Sequence, residues 1–198
     1  MLRYKLTDQN LQTYNGFQWE IGKKMTTSGE GELCGPGWLH CYSDPFLAVI
    51  FNPRHVNIKN PKIFEIECGG LHIDDLGRKE GFTEMTLLKE IDLPVLTLNQ
   101  KIAFGIFCSL EVYSAKEYLT WANNWLSGVD RTKKSAYDAY DAANAAYAYA
   151  AYAYAYAYYA DNAANAADAA AYAAAKRKGS TIDFISIIEK VKSLEGLL

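Results

Sequence analysis

The sequence lacks several features that would define a protein class at once. It contains no run of about 18 apolar residues, so no membrane-spanning helix is predicted, and no basic leader precedes an apolar segment. Its 20 Lys and Arg residues nearly balance 23 Asp and Glu residues, for a formal net charge of −3. A groove for nucleic-acid phosphates needs a basic excess, so a nucleic-acid partner is not expected. We therefore expect a cytoplasmic protein with no membrane partner.

Cysteine is scarce as well, at four residues in the chain. A zinc site could be drawn from Cys34, Cys41, Cys68 and His72, because thiolates and imidazoles are the usual zinc ligands. The cysteines lack the two-residue spacing of a zinc knuckle, and cytoplasmic thiols stay reduced. We predict that the cysteines, including Cys108, are buried thiols, and that the protein holds no metal and no cofactor.

One stretch is dominated by a single residue type, since 23 of the 40 residues from 136 to 175 are Ala and most of the others are Tyr, Asn or Asp. Tyr and Ala alternate there as in a strand, but the alternation slips at Ala150 and Ala151. Ala is the best helix former and is depleted in strands. We therefore predict one long helix, about 60 Å in length if unbroken.

Such a helix would carry its tyrosines on two stripes. The longer stripe runs almost the whole length and consists of Tyr140, Tyr147, Tyr154, Tyr158 and Tyr172. The shorter stripe lies on the opposite side and consists of Tyr149, Tyr152, Tyr156 and Tyr159. Because Tyr is enriched at binding hot spots, we assign the shorter stripe to a partner, either a host protein or a second copy of the chain.

The composition divides the chain into a body at residues 1–128, the Ala/Tyr-rich helix at 129–178 and a short amphipathic helix at 179–198. Short apolar runs separated by Gly and Pro predict an α+β body, with a curved and mostly antiparallel sheet and a few small helices. Strands are predicted at residues 17–21, 37–42, 62–68 and, most strongly, 102–112. Helices are predicted at 45–50, capped by Ser43 or Asp44, and at 83–90.

Ser114 and Glu117 have the spacing of a capping box, which predicts a helix that runs to Ser127 and Gly128. Trp121 and Trp125 would share one buried face of it. After the Lys-Arg-Lys-Gly segment at 176–179, a final helix is predicted to fold back onto the long helix. Its apolar face would consist of Ile182, Ile185, Ile188, Val191 and Leu194.

Two groups of carboxylates are candidates for acid–base or Mg²⁺ chemistry, namely Asp74 with Asp75 and Glu65 with Glu67. Asp74 and Asp75 precede Leu-Gly, which indicates a turn. Glu65 and Glu67 would lie on one solvated strand face. We favour surface roles for both groups.

Several motifs resemble an uncharacterised domain of bacteriophages and their hosts with the pattern GFxYExGK, C, GFHxC. They are Gly-Phe-Gln-Trp-Glu-Ile-Gly-Lys at 16–23, Cys34, Gly-Trp-Leu-His-Cys at 37–41 and Ile-Phe-Glu-Ile-Glu-Cys-Gly-Gly at 63–70. The opening of the Ala-rich part resembles that of Ala-rich helical tails in phage proteins, with Trp121, Asn-Trp-Leu-Ser-Gly at 124–128 and Asp130-Arg131. The resemblance implies a phage or prophage accessory protein and no catalytic residue.

The order of elements also resembles that of ADP-ribosyltransferases, with a Gly-x-aromatic strand at 37–42, a short helix at 44–51 and a strand ending in Gly at 63–70. That resemblance implies nucleotide binding in which His40 or Tyr42 stacks on the nicotinamide and Glu111 orients the ribose. Tyr4 and Lys5 do not match the early His or Arg that these enzymes need.

Three functions follow from these observations. The first is an accessory protein that binds a host factor stoichiometrically, for example as an inhibitor of a CRISPR defence. The second is an ADP-ribosyltransferase-like enzyme or a nucleotide-binding relative, and the third is a structural protein that oligomerises through its long helix. We favour the first and expect the protein not to be an enzyme.

Overall fold

The computed structural model describes residues 1–132, 134, 170, 174 and 181–194, and the chain divides into two compact units, Met1–Val95 and Leu96–Leu198. Helices and an antiparallel sheet are both present, which confirms the predicted α+β class. Within the described ranges, none of the helices has the length and apolar character needed to cross a membrane.

The first unit contains the sheet, one α-helix and a short 3-10 turn at Tyr14–Gly16. In chain order its elements are β1 (Leu2–Thr7), β2 (Gln12–Thr13), β3 (Phe17–Gln18), β4 (Lys24–Thr26), β5 (Leu39–Cys41), α1 (Pro45–His55), β6 (Lys62–Asp74) and β7 (Glu80–Ile91). The strand predicted at 62–68 is the first half of β6, whereas the strands predicted at 17–21 and 37–42 are longer than the observed β3 and β5.

The main sheet has the strand order β1-β6-β7-β4, and β5 pairs with the first residues of β7. All of its strand pairs are antiparallel, and one isolated parallel bridge joins Ile21 to Leu87. The sheet curves until β1 meets the end of β5, where the N–H groups of Tyr4 and Tyr42 each donate to the other residue's carbonyl at 2.9 Å. Strands β1, β6, β7 and β5 therefore form a closed ring.

The inner face of this ring holds the hydrophobic core of the first unit. Alternate strand residues point to opposite faces, so each strand contributes every second side chain to the interior. The buried members are Trp19, Leu39, Cys41, Phe64, Ile66, Cys68, Phe82, Met85 and Leu87.

Helix α1 begins as the sequence predicts. The Asp44 side chain accepts a hydrogen bond from the N–H of Phe46 at 2.7 Å, and Pro45 occupies the first turn, where its missing N–H costs nothing. The helix continues to His55, five residues beyond the predicted end.

Two predicted elements of the body are wrong. Residues 83–90 belong to strand β7, not to a helix, because β6 pairs with most of them and Met85 and Leu87 are buried. Residues 102–112 are mostly helix, not a strand, because they continue α2 (Leu98–Leu110) from a cap at Thr97. In both cases a short apolar run had no decisive period of its own.

The described helices of the second unit are α2, α3 (Lys116–Leu126) and α4 (Phe184–Ser193). Helix α3 starts one residue later than predicted: its cap residue is Ala115, which makes no side-chain cap, so the capping box at Ser114 is wrong. The shared face of Trp121 and Trp125 is confirmed, since both side chains are buried.

Helix α4 is capped by Asp183, whose side chain accepts the N–H of Ser186 at 3.0 Å. Its buried face consists of Phe184, Ile187, Ile188 and Val191, while Ile185 is exposed. Ile188 and Val191 of the predicted face are therefore confirmed, as is Ile182 just before the helix, whereas Ile185 is wrong and Phe184 and Ile187 were left out of the prediction. Phe184 stacks on Phe104 of α2 with ring centroids 6.0 Å apart, so α4 packs on α2.

The predicted Ala/Tyr-rich helix lies almost entirely outside the described residues. Of residues 136–175 the structure describes Ala170 and Ala174, both helical and buried. The long helix and its packing with α4 stay predictions.

Candidate functional site

Five polar or ionisable side chains from four strands enter the interior of the first unit and form what we call the inner-face cluster. They are Arg3 and Lys5 on β1, Cys41 on β5, Cys68 on β6 and Glu80 on β7. Arg3 and Lys5 are two residues apart and share a strand face. The cluster lies among apolar core residues, where charges interact more strongly than in water.

Lys5 is the most deeply buried cation of the cluster, with 6% of its surface exposed. Its Nζ donates to the carbonyl oxygen of His40 at 2.5 Å and lies 4.6 Å from the ring centroid of Trp19. Burial lowers the pKa of Lys5 to about 8, and the nearby side chains of Cys41 and Cys68 oppose that shift. Lys5 therefore changes charge near the physiological range.

The two thiols of the cluster lie against each other, with 3.9 Å between the Sγ atoms of Cys41 and Cys68. The hydrogen bond from Cys41 lowers the pKa of the Cys68 thiol, and the charge of Lys5 acts in the same direction. Burial raises the pKa of Cys41 well above its ordinary value. Cys68 therefore loses its proton more readily than Cys41, and Cys41 is then its hydrogen-bond donor.

Arg3 and Glu80 form the outer part of the cluster. The Arg3 guanidinium donates to both carboxylate oxygens of Glu80, from Nε to Oε2 and from Nη2 to Oε1, the latter at 3.1 Å. His72 Nε2 lies 3.4 Å from Glu80 Oε1, and its ring stacks on Phe82 at a centroid distance of 4.5 Å. The paired carboxylate raises the pKa of Arg3, which keeps a permanent positive charge beside the thiols.

The arrangement has the parts of a reactive thiol. A thiolate is the nucleophilic form of cysteine, and neighbouring cations stabilise it. Here Lys5 supplies a cation whose charge depends on pH and Arg3 one whose charge does not. The second thiol lies within reach of the first.

The four residues considered for zinc are not assembled into one site. Cys41 and Cys68 meet, but Cys34 is exposed and accepts a hydrogen bond from Lys79 Nζ at 3.1 Å. Within the described part of the chain, no three His, Cys, Asp or Glu side chains are grouped so that they could hold a metal ion.

The residues considered for nucleotide binding lie in both units. His40 donates from Nε2 to the carbonyl of Leu33, and burial lowers its pKa. The buried Tyr42 hydroxyl lies 3.1 Å from Nδ1 of His55. Glu111 belongs to the second unit, where it follows α2 and lies 3.8 Å from Lys190 Nζ. Their nucleotide-binding role stays a prediction.

The carboxylate groups lie where the sequence places them. Asp74 ends β6, its Oδ1 accepts the N–H of Gly77 at 2.9 Å, and Asp75 forms an ion pair with Arg78, as in a hairpin turn. Glu65 lies 3.2 Å from Lys89 on the neighbouring strand.

A second feature of the first unit is an aromatic hairpin, residues 12–18, which joins β2 to β3. Asn15 and Gly16 have φ values of 58° and 71°, and the N–H of Phe17 donates to the carbonyl of Tyr14, which closes a tight turn. Tyr14 is 75% exposed and Phe17 38% exposed.

The partner stripe of Tyr149, Tyr152, Tyr156 and Tyr159 lies outside the described residues.

Sequence reasoning missed both features. The hairpin had a local signal, since Asn-Gly is the preferred pair where two successive residues need positive φ. The inner-face cluster had none, because its members are brought together by pairings between strands far apart in the chain.

Comparison with known proteins gives one match. The family model described as Domain of unknown function (DUF7666) matches residues 1–99, which include the whole first unit. No curated protein and no solved structure matches the chain. Because the matched residues make up half of the 198-residue chain, the protein belongs to the DUF7666 family.

Proposed function

We propose that the protein acts as a binding protein, by stoichiometric contact with a protein partner. The observation that carries this proposal is the aromatic hairpin, which exposes Tyr14 and Phe17 on a turn of defined conformation. Exposed aromatic side chains in a rigid setting are typical of binding hot spots, because they offer a large contact area at a small entropy cost.

The hairpin is held by more than its turn. Asp8 Oδ1 accepts the N–H groups of Asn10 at 2.8 Å and Gln12 at 2.7 Å, which fixes the entry into β2. The side chains of Gln12 and Gln18 are joined across the two strands at 3.1 Å. A two-stranded hairpin alone is only marginally stable, so these bonds are what keep the tip in one shape.

The base of the hairpin is anchored in the core. Trp19 is buried and donates from Nε1 to Thr13 Oγ1 at 3.1 Å, and Phe17 packs on it with ring centroids 5.2 Å apart. Tyr14 has no such contact with the core and is the most exposed aromatic ring of the described residues. A partner that covers Tyr14 would thus meet a surface that is already ordered, which lowers the entropy cost of association.

The identity of the partner rests on the resemblance to phage and prophage accessory proteins. On that basis the partner is a factor of the host cell, and a defence protein such as a CRISPR effector is the specific candidate. The tyrosine stripe at 149–159 would supply a further contact surface or join two copies of the chain. Neither role depends on the inner-face cluster.

The test is capture from host lysate with the full chain as bait, quantified by mass spectrometry. Tyr14→Ser should reduce recovery of the partner at least tenfold, because one hot-spot residue contributes about 2 kcal/mol or more. Val95→Ser is the matched control, since Val95 is an even more exposed apolar side chain and does not belong to the hairpin. Unfolding temperatures of both variants should match that of the wild type.

Two outcomes would contradict the proposal as stated. Equal capture by wild type and Tyr14→Ser would remove the hairpin from the interface. If only a second copy of the chain were captured and size-exclusion chromatography showed an oligomer, the structural alternative would replace the host-factor proposal. A triple Tyr149→Ser, Tyr152→Ser, Tyr156→Ser variant then tells whether the stripe forms that contact.

A further inference from the structure

We propose that Cys41 and Cys68 are a redox modification site, at which hydrogen peroxide or a small organic hydroperoxide converts the two thiols into a reversible disulfide. The geometry that supports this is the 3.9 Å contact between the two sulfurs, which come from different strands and are 27 residues apart in the chain. The inference is independent of the proposed binding function.

The approach needed for bond formation is small. A disulfide has an S–S distance of about 2.05 Å, so the sulfurs must close by about 2 Å. Rotation of the two short side chains moves their sulfurs by distances of this order, and no strand pairing has to break. Lys5 and Trp19, which line the same interior, limit where the sulfurs can go.

The burial of both sulfurs limits the size of the oxidant that can reach them. Cys41 has no exposed surface and Cys68 is 4% exposed. A protein disulfide or another bulky thiol reagent cannot reach either sulfur without unfolding the ring. A peroxide has the size of two water molecules and can reach Cys68 through local openings of the structure.

Cys68 reacts first, because its thiol loses a proton more readily than that of Cys41 and its sulfur is the more accessible of the two. Its sulfur attacks one peroxide oxygen, an S–O bond forms and the O–O bond breaks. The leaving hydroxide takes up the proton that Cys68 had lost and becomes water. Cys68 ends this step as a sulfenic acid, oxidised by two electrons.

Cys41 completes the reaction. Its sulfur attacks the sulfur of Cys68, the S–S bond forms and the S–O bond breaks. The proton of the Cys41 thiol goes to the leaving hydroxide, which gives the second water. With hydrogen peroxide the balance is two thiols and one peroxide to one disulfide and two waters, and an organic hydroperoxide gives its alcohol in place of the first water. A small dithiol that reaches the pair through local openings reverses the reaction by thiol–disulfide exchange.

Lys5 is the positioning residue for this reaction. Its ammonium group forms no bond to either sulfur during the steps, but its charge favours the thiolate that starts them. Arg3 is held by Glu80 and adds a second positive charge on the same face. The disulfide would join β5 to β6 across the interior and close a loop of the chain.

The experiment treats the full-length folded chain with hydrogen peroxide, blocks remaining thiols with an alkylating reagent and maps the peptides by mass spectrometry. Cys34→Ser is used beside the wild type, because Cys34 is the exposed cysteine among the described residues and peroxide would oxidise it independently of the Cys41–Cys68 pair. We expect one cross-linked peptide pair that contains Cys41 and Cys68 in both proteins, removed by dithiothreitol. Cross-links only through Cys34, or unmodified Cys41 and Cys68 under conditions that oxidise Cys34, would overturn the proposal.

The order of the steps is tested with a trap for sulfenic acid. The oxidised protein is unfolded in denaturant that contains dimedone, so that the trap reaches buried sulfurs. Cys41→Ser should then yield dimedone-labelled Cys68, whereas Cys68→Ser should leave Cys41 unlabelled. The opposite labelling would overturn the assignment of the first nucleophile. The wild-type peptide map decides the proposal even if either variant fails to fold.

The role of Lys5 is tested by the pH profile of the oxidation rate. Lys5→Met should slow oxidation at pH 7 and shift the rise of the rate to higher pH, because loss of the nearby cation raises the pKa of the Cys68 thiol. Lys24→Met, which removes an exposed lysine paired with Glu84, should leave the profile unchanged. A Lys5→Met profile equal to that of the wild type would remove Lys5 from the site.

Discussion

The Nζ atom of Lys5 lies 4.6 Å from the ring centroid of Trp19 and donates a hydrogen bond to the carbonyl of His40 at 2.5 Å. A cation–π contact and one hydrogen bond replace part of the water that an exposed ammonium would have. The replacement is incomplete, since the pKa of Lys5 falls to about 8. The first unit therefore tolerates a buried charge at a cost to its stability.

The first prediction concerns that cost. Lys5 keeps a pKa of 10.5 in the unfolded chain and has about 8 in the folded one, so the unfolded state binds more protons between these values. The free energy of unfolding should rise across this window, by up to about 3 kcal/mol from Lys5 alone. Below pH 8 the buried ammonium of Lys5 lowers the free energy of unfolding by the full amount, and above pH 10.5 this destabilisation is absent.

Lys5→Met should lack this rise and should be at least as stable as the wild type at pH 7, because the thioether side chain fills similar space without a charge. Urea unfolding followed by tryptophan fluorescence from pH 7 to pH 10.5 measures it. Lys24→Met, on the exposed end of an ion pair, should keep the wild-type slope. The same slope in Lys5→Met would show that another group titrates there.

The second prediction concerns a glycine at the irregular part of the β6–β7 pairing. Gly70 has a φ of +75°, and a Cβ atom at this position would overlap Thr83 Oγ1, which accepts the N–H of Leu71 at 2.9 Å. Gly70→Ala should cost about 3 kcal/mol, from the left-handed backbone and the overlap together.

Gly31→Ala is the matched control, because Gly31 has a φ of +79° and open space where the Cβ would be. It should cost only the backbone part, about 1 kcal/mol. Both free energies come from urea unfolding at pH 7. Equal costs for the two variants would mean that Thr83 moves away without penalty.

The third prediction lies in the second unit. Thr97 Oγ1 accepts the N–H of Gln100 at 3.1 Å and the Gln100 side chain accepts the N–H of Thr97 at 2.9 Å. The capping box thus satisfies the backbone N–H groups of these two residues. Thr97→Ala should lower the stability of α2 by about 1 kcal/mol, and Thr97→Ser should restore most of it. Amide hydrogen exchange of the first turns of α2 is the measurement, and unchanged protection in Thr97→Ala would contradict the prediction.

Structural elements that are set by neighbouring residues can be predicted from the sequence more readily than elements that depend on strand pairing between distant residues. The start of α1 was predictable because Asp44 and Pro45 act within one helical turn. The same kind of signal marks α2, where Thr97 precedes Gln100 by three residues, but the strand at 102–112 was predicted from the apolar run alone. Strand β7 was mistaken for a helix because its hydrogen-bond partners lie on β6 and are invisible locally.

The candidate sites divide in the same way. The aromatic hairpin follows from Asn15-Gly16, a two-residue signal that could have been recognised. The meeting of Cys41 with Cys68 follows from the closure of the ring between Tyr4 and Tyr42, and from the pairing of both thiol-bearing strands with β7. The residue types alone suggested a zinc site. The strand register brings Cys41 and Cys68 together, but it places neither Cys34 nor His72 beside them as a further ligand of such a site.

The last prediction separates a partly buried ion pair from an exposed one on the same sheet. Arg3 and Glu80 have side-chain exposures of 21% and 11%, whereas Lys24 and Glu84 have 61% and 41%. Glu80→Gln keeps the shape of the side chain but leaves the Arg3 guanidinium without a counter-charge in a poorly hydrated place. We expect a loss of about 2 kcal/mol. Glu84→Gln should cost less than about 1 kcal/mol, because water and salt screen the exposed pair.

A double variant, Arg3→Met with Glu80→Gln, tells whether the loss comes from the orphaned charge or from packing. It should be more stable than Glu80→Gln alone, since removing both partners of a buried pair costs less than removing one. Urea unfolding at pH 7 with tryptophan fluorescence gives all four free energies. A double variant less stable than Glu80→Gln would contradict this expectation. It would show that packing of the aliphatic stem of Arg3 stabilises the fold by more than its unpaired charge destabilises it.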